Sequence, residues 1–227
     1  MENLWKNVDF TSNDIICDLD IPFLKNNQTR IDDYKFHFDL IPEPFQGRTD
    51  ANIVLLALNP GYDDLDHHFH KVDQSYRKSV INCIKEIDQE FPFYLLNPEF
   101  KNSPGYSYWA SDNKGILRNL LHYQDAHKLS NNLLSIEYFP YKSLKFKPLN
   151  QILPSQNFGF QLVRKAIKRK AIIIMLRSRE LWYKAVPELI NYPRVYYTKN
   201  ARNVVLSSNN LEIGFMKMID YLDRVKM

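Results

Sequence analysis

Two short stretches of this chain are apolar at every position: 53–58, Ile-Val-Leu-Leu-Ala-Leu, and 171–176, Ala-Ile-Ile-Ile-Met-Leu. A strand with one wet face alternates apolar and polar residues, whereas a strand covered on both faces has no reason to alternate. Both runs are strand-length and fall far short of the roughly 18 apolar residues of a membrane span. Residues 133–138 add a third candidate strand. Shorter ones are predicted at 35–40, 195–197 and 203–206.

Between the strands the apolar spacing changes to three or four residues. Val72, Tyr76, Val80, Ile84 and Ile87 mark one helix. Ile116, Leu117, Leu120 and Leu121 mark another within 114–123. Phe158, Leu162 and Ala166 mark a helix over 155–169, with Ser155 as candidate cap. Further helices are predicted at 178–186 and at 211–222, the latter with Leu211, Phe215, Met218 and Leu222 aligned. Alternating strand and helix imply parallel strands joined by right-handed crossovers. The expected fold is therefore α/β, a three-layer α/β/α sandwich with a small, mostly parallel central sheet. The 227 residues are expected to form one domain, with 1–50 as an N-terminal extension packed on it.

Composition narrows the classes further. Hydrophobic residues are 44% and charged residues 25%, as in ordinary globular chains, which excludes disorder, collagen and coiled coil. Two cysteines, Cys17 and Cys83, with no CxxC, argue against a disulfide scaffold and against a four-cysteine metal site. The first residues carry no basic leader followed by an apolar core, so no secretion signal and a cytoplasmic location are expected. No Walker loop, GxGxxG or GxSxG is present, so ATPases, Rossmann dehydrogenases and α/β-hydrolases lack their signatures.

In sheets of this kind ligands bind beyond the carboxyl ends of the strands. The first such place is Asn59-Pro60-Gly61-Tyr62. Asn59 either holds a water or a substrate oxygen there, or bonds only its own turn. Asp63 and Asp64 follow as candidate general bases. The rest of the segment, through Asp66, His67, His68 and His70, reads either as a metal or phosphate site or as a polar solvated loop. After the 133–138 strand, Glu137 and Tyr138 combine a carboxylate with aromatic rings. That mixture suits a flat heterocycle, and it equally suits a core with one ion pair. Arg177, Ser178 and Arg179 open a helix, where backbone N–H groups and guanidinium forks hold phosphate. Ser207, Ser208 and Asn209 either clamp a nucleic-acid backbone or cap the last helix.

Net charge of +4 hides an asymmetry. Residues 142–202 hold 14 Lys/Arg against Glu180 and Glu188, a net of +12, so the remainder carries −8. A basic region beside an acidic remainder fits a polyanion partner, or else a solvated helix face around Arg164 and Lys168.

These pieces, in this order, resemble the uracil-DNA glycosylase superfamily. Its mismatch-specific thymine/uracil branch writes the first loop Gly-x-Asn-Pro-Gly, and this chain has Ala57-Leu58-Asn59-Pro60-Gly61. Its second motif is a Ser-containing loop before a C-terminal helix, where Leu206-Ser207-Ser208-Asn209 stands. The resemblance spans about 50–225, mostly as layout. The first glycine is replaced by Ala57, and no histidine stands at Leu206 or Ser207. The resemblance implies hydrolysis of the N-glycosidic bond of a flipped base in DNA, with no cofactor and no metal. Asn59 would orient the water, with Asp63 or Asp64 nearby. Pro60, Gly61, Tyr62, Glu137 and one of Phe91, Phe93 or Tyr138 would form the base pocket. Arg164, Lys168, Arg177, Ser178, Arg179, Ser207, Ser208 and Asn209 would hold the DNA. Where family members place an amide that reads uracil, Glu137 stands, and a carboxylate there suits an amino-bearing base. DNA is the expected partner, with no membrane and a monomeric chain. The rival readings are a non-catalytic nucleic-acid or nucleotide-binding module, and a metal-dependent nucleotide or phosphoester hydrolase built on 63–70.

Overall fold

The computed structural model describes residues 2–24, 32–200 and 202–225. Its strands are β1 (Phe45–Gly47), β2 (Ile53–Leu56), β3 (Leu133–Ile136), β4 (Ile172–Met175) and β5 (Val195–Tyr197). They form one sheet in the order β1-β3-β2-β4-β5. Strand β2 runs parallel to β3 and β4, β4 runs parallel to β5, and β1 pairs antiparallel on the outer edge of β3. The helices are α1 (Ile21–Leu24), α2 (Gln74–Lys85), α3 (Pro104–Trp109), α4 (Arg118–Leu121), α5 (Ala126–Asn132), α6 (Gln156–Lys168), α7 (Arg179–Ala185), α8 (Ser208–Leu211) and α9 (Ile213–Arg224).

Every residue of β2, β3 and β4 is buried; the unbroken apolar runs of β2 and β4 require this of strands covered on both faces, and β3 buries Ser135 among its apolar residues. The fold is α/β. The helices follow their local signals. Asp73 caps α2 by accepting the Ser75 and Tyr76 N–H groups at 3.1 and 3.0 Å, and Ser103 with Pro104 opens α3 in the same way. Buried Tyr76, Val80 and Ile84 form the inner face of α2, while Val72 and Ile87 fall outside the helix and are exposed.

Three expectations need correction. Residues 35–40 are irregular, because Phe36 and Phe38 pack on Phe139 and Tyr141 rather than pairing with a strand. The edge strand is instead β1, only three residues long. Residues 203–206 lie outside the sheet, although 204–206 are buried: Leu206 N–H reaches Ile116 O at 2.9 Å, and Asn119 Nδ2 donates to Leu206 O at 3.0 Å. Ser155 does not cap α6. Its hydroxyl and N–H bind the buried Asp20 carboxylate at 2.5 and 3.0 Å, and Tyr141 OH joins at 2.8 Å. Burial raises the Asp20 pKa, against the pull of these three donors. The N-terminal region is thereby tied to the body, and Trp5, Phe10 and Ile15 share one continuous core with residues as distant as Leu222. Both cysteines are buried free thiols, and burial pushes Cys17 up to about 11 and Cys83 up to about 12. Among the described residues no helix is long and apolar enough to cross a membrane.

Candidate functional site

The carboxyl ends of β2, β3 and β4 open into a cleft of about 350 Å³. One wall is the 57–63 loop, a second is Glu137 with 142–144, and a third is Leu176 with Arg177. Leu95, Pro104, Gly105, Tyr108 and Trp109 close the apolar side, and Glu43, Gln46 and Asp66 line it as well. The loops are stitched to one another. Ala57 N–H donates to Ile136 O at 3.0 Å, Phe139 N–H to Leu58 O at 2.9 Å, and Ser143 N–H to Pro60 O at 3.3 Å. The buried Trp182 indole of α7 donates to Ala57 O at 2.9 Å.

Asn59 sits at the mouth of β2. Its Nδ2 donates to Pro60 O at 3.0 Å, to Ser143 Oγ at 3.1 Å and more weakly to Ser143 O at 3.4 Å. Two carbonyl oxygens at one end of the amide decide which end is Nδ2. No donor among the described residues is bonded to Oδ1, so the residue keeps an oriented acceptor. Ser143, fully buried, was not singled out by sequence reasoning, because 84 residues separate it from Asn59.

Behind this wall lies a cluster of charges. Lys142 Nζ is 3.0 Å from Glu43 Oε1, 3.6 Å from Asp66 Oδ1 and 3.4 Å from Gly61 O. His70 Nε2 is 3.2 Å from Glu43 Oε1 and 3.9 Å from Asp66 Oδ1. Gln46 Nε2 donates to Glu43 Oε2 at 3.2 Å. All five side chains are buried. A π-helical turn over His68–Val72 places His70 inward. Burial works against the Glu43 charge, but Lys142 and His70 outweigh it and hold the carboxyl down to about 2. Burial also lowers the His70 pKa, while the Lys142 pKa is raised because its two carboxylates overcome its own desolvation.

Glu137 is in a different state. It is 7% exposed, and among the described residues its Oε2 has no hydrogen-bond partner and no cation lies within ion-pair distance of it. Burial, reinforced by the charge of Glu43 and only partly offset by Lys142 and Arg177, pushes its carboxyl up to about 8. Arg177 on the facing wall is half-buried, and its Nε is buried without an acceptor.

Several expected site residues lie elsewhere. Phe93 is fully buried against Trp109, Phe91 packs on His127, and Tyr138 packs on Phe160 and Trp182; none of the three lines the cleft. The aromatic residues that do are Tyr62, Tyr108 and Trp109, and Tyr62 has one face covered by His37 at a centroid distance of 3.5 Å. Asp63 lines the cleft, with Oδ1 accepting Leu65 N–H at 3.0 Å. Asp64 does not, and its carboxylate accepts Tyr62 OH at 2.7 Å. His67 leans on Asp39, 3.4 Å away, and His68 on Phe69. Among the described residues no three His, Cys, Asp or Glu side chains are arranged to hold a metal ion; between Glu43 and Asp66 the cation is Lys142.

The basic residues are also dispersed. Helix α6 begins beside the end of β3, where Gln156 Nε2 reaches Tyr138 O at 2.5 Å. It ends at the opposite pole, where Arg169 donates to Ala51 O, ahead of β2. Exposed Lys168 therefore lies far from the cleft. Arg164 is held by Glu188 at 2.8 Å and by Ala185 O, and Arg179 lies over the Tyr197 ring. Ser178 takes a left-handed turn at φ 58° and makes no side-chain cap. Ser207 caps α8 by accepting Asn210 N–H at 3.2 Å, and neither it, Ser208 nor Asn209 lines the cleft. Of the expected DNA contacts only Arg177 does.

No protein-family model matches this chain, and no curated protein or solved structure matches it either.

Proposed function

We propose that the protein is a DNA glycosylase-like hydrolase that receives a flipped nucleobase in this cleft and cleaves its N-glycosidic bond. The observation that carries the reading is Asn59: an amide at the mouth of a parallel sheet, anchored through Nδ2 by Ser143 and Pro60, with Oδ1 left to hold a water. Tyr108 and Trp109 supply flat apolar surface beside it, and Glu137 and Arg177 supply polar groups. In the reaction the C1′–N bond breaks with its electron pair going to the base. The sugar becomes oxocarbenium-like, the held water adds at C1′, and the departing base takes up a proton. Asn59 positions the water, and Ser143 positions Asn59.

A second reading is favoured by the state of the carboxylates. Glu43 and Asp66 are committed to Lys142, Asp63 to its own turn, and Glu137 is protonated. A cleft with no free base to activate water suits a module that binds nucleic acid or a nucleotide without turnover.

One experiment separates the two. The protein is incubated in EDTA with DNAs carrying uracil, mismatches and modified cytosines, and released base is measured by mass spectrometry. Asn59→Ala is expected to lose roughly 100-fold or more of the release, as for removal of a positioned polar group. Ser143→Ala is expected to lose about 10-fold, the worth of one hydrogen bond. No release from any substrate, with binding of DNA intact, would replace hydrolysis by the binding module.

A further inference from the structure

We infer that the cleft grips an uncharged planar heterocycle by a lactam or amidine edge, and that the buried, unpartnered carboxyl of Glu137 is the group that pairs with that edge. The inference rests on the nucleobase reading of the cleft but not on hydrolysis. Glu137 follows β3 directly, is more than nine-tenths buried and lines the cleft. Its Oε2 is buried with no partner, so the folded chain leaves this hydrogen-bonding group for something else to satisfy.

The surrounding charges explain why the acid form persists. Glu43, in the segment ahead of β1, faces Glu137 with a negative charge. Lys142, after β3, is spent on Glu43 and Asp66. Arg177, after β4, makes no ion pair with Glu137, and burial lowers the pKa of His70 beneath the cluster. Tyr108 of α3 adds a neutral hydroxyl. With no cation to pair with, a buried carboxyl keeps its proton, which agrees with its value of about 8.

A carboxylic acid offers an O–H donor and a C=O acceptor side by side. A carboxylate offers only acceptors and would repel the carbonyl of a lactam. The complementary partner is an edge with one acceptor and one N–H in adjacent positions: O4 and N3–H of uracil, or N3 and the amino group of cytosine. Arg177 Nε, buried without an acceptor, adds a donor on the facing wall for a second ring carbonyl. Such a cleft does not require an amino-bearing base, as a carboxylate at this position would.

The test uses the full-length protein and free bases, observed by saturation-transfer NMR. At pH 6.5 uracil and cytosine should bind, and 1,3-dimethyluracil, both of whose N–H groups are blocked, should not. Cytosine keeps one charge state between pH 6.5 and 9.5, and its affinity for the wild type should fall by more than tenfold across that range. Glu137→Gln keeps a donor beside an acceptor at every pH, so it should bind at pH 6.5 and lose the pH dependence. Glu137→Ala should lose binding while its circular dichroism is unchanged. The inference is overturned if 1,3-dimethyluracil binds as well as uracil, if Glu137→Gln fails to bind, if the affinity for cytosine holds or rises with pH, or if no base shows transfer. Base release from DNA is not part of this readout, so absence of turnover and absence of edge recognition are separate results.

Discussion

Replacing Glu43 by Gln removes the central anion of the buried cluster while keeping its shape. The wild-type carboxyl is held at about 2 against an ordinary 4.5. That gap corresponds to about 3 kcal/mol of stability. A comparable figure, roughly 3–5 kcal/mol, is expected from stranding Lys142, which is 6% exposed and would keep only Asp66 at 3.6 Å. For a chain of this size about 3 kcal/mol lowers Tm by roughly 6–12 °C. The pH profile is the sharper test. A carboxyl whose folded pKa is depressed contributes fully above its unfolded value and loses that contribution as pH falls through the folded one. The gap between wild type and Glu43→Gln should therefore be constant above about pH 5 and close between 4.5 and about 2. Urea unfolding of both proteins across pH 2–7 measures it. The double variant Glu43→Gln/Lys142→Met removes both charges and should be no less stable than the worse single variant. Curves that stay parallel down to pH 2, or single losses that simply add, would refute the ion-pair account.

Glu137 has the opposite sign. Its folded carboxyl, at about 8 against 4.5, holds a proton that the unfolded chain releases, so it costs about 3 kcal/mol at pH 7 and nothing below 4.5. Glu137→Gln should be more stable than wild type at pH 7 by about that amount and no different at pH 4; overlapping unfolding curves at pH 7 would sink the argument. Gly47 has φ 101°, and a Cβ there would stand 2.1 Å from Leu133 O. Gly47→Ala should therefore destabilise by more than about 2 kcal/mol in urea, beyond the usual penalty for a left-handed alanine, by pushing β1 off β3.

The parallel sheet was legible in the sequence, because β2 and β4 are covered on both faces and their unbroken apolar runs say so. Strand β1 was not: three residues give no period, and its place is set by pairing with β3, Phe45 against Ile136, 91 residues away. Residues 35–40 alternate like a strand because Phe36 and Phe38 do point inward, but their partners are rings and not a ladder. Val204, Val205 and Leu206 are apolar because they are buried, which is not the same as being paired. In the site, Asn59 was visible from its turn. The cluster was not, since Glu43, Asp66, His70 and Lys142 come from three separate segments and only the fold brings them together. Glu137 was noticed, but its protonation depends on which cations its neighbours have already taken.

The bonds of Asp20 set a schedule for the growing chain. Its partners Tyr141 and Ser155 lie 121 and 135 residues further on. At about 5–20 residues per second of translation, Asp20 waits roughly 7–27 s for Ser155 to be made. Phe10 and Ile15 have nearer partners, Arg77 at Phe10 O and Phe38 O at Ile15 N–H. The contacts that fasten Asp20 thus close only after more than a hundred further residues have been made.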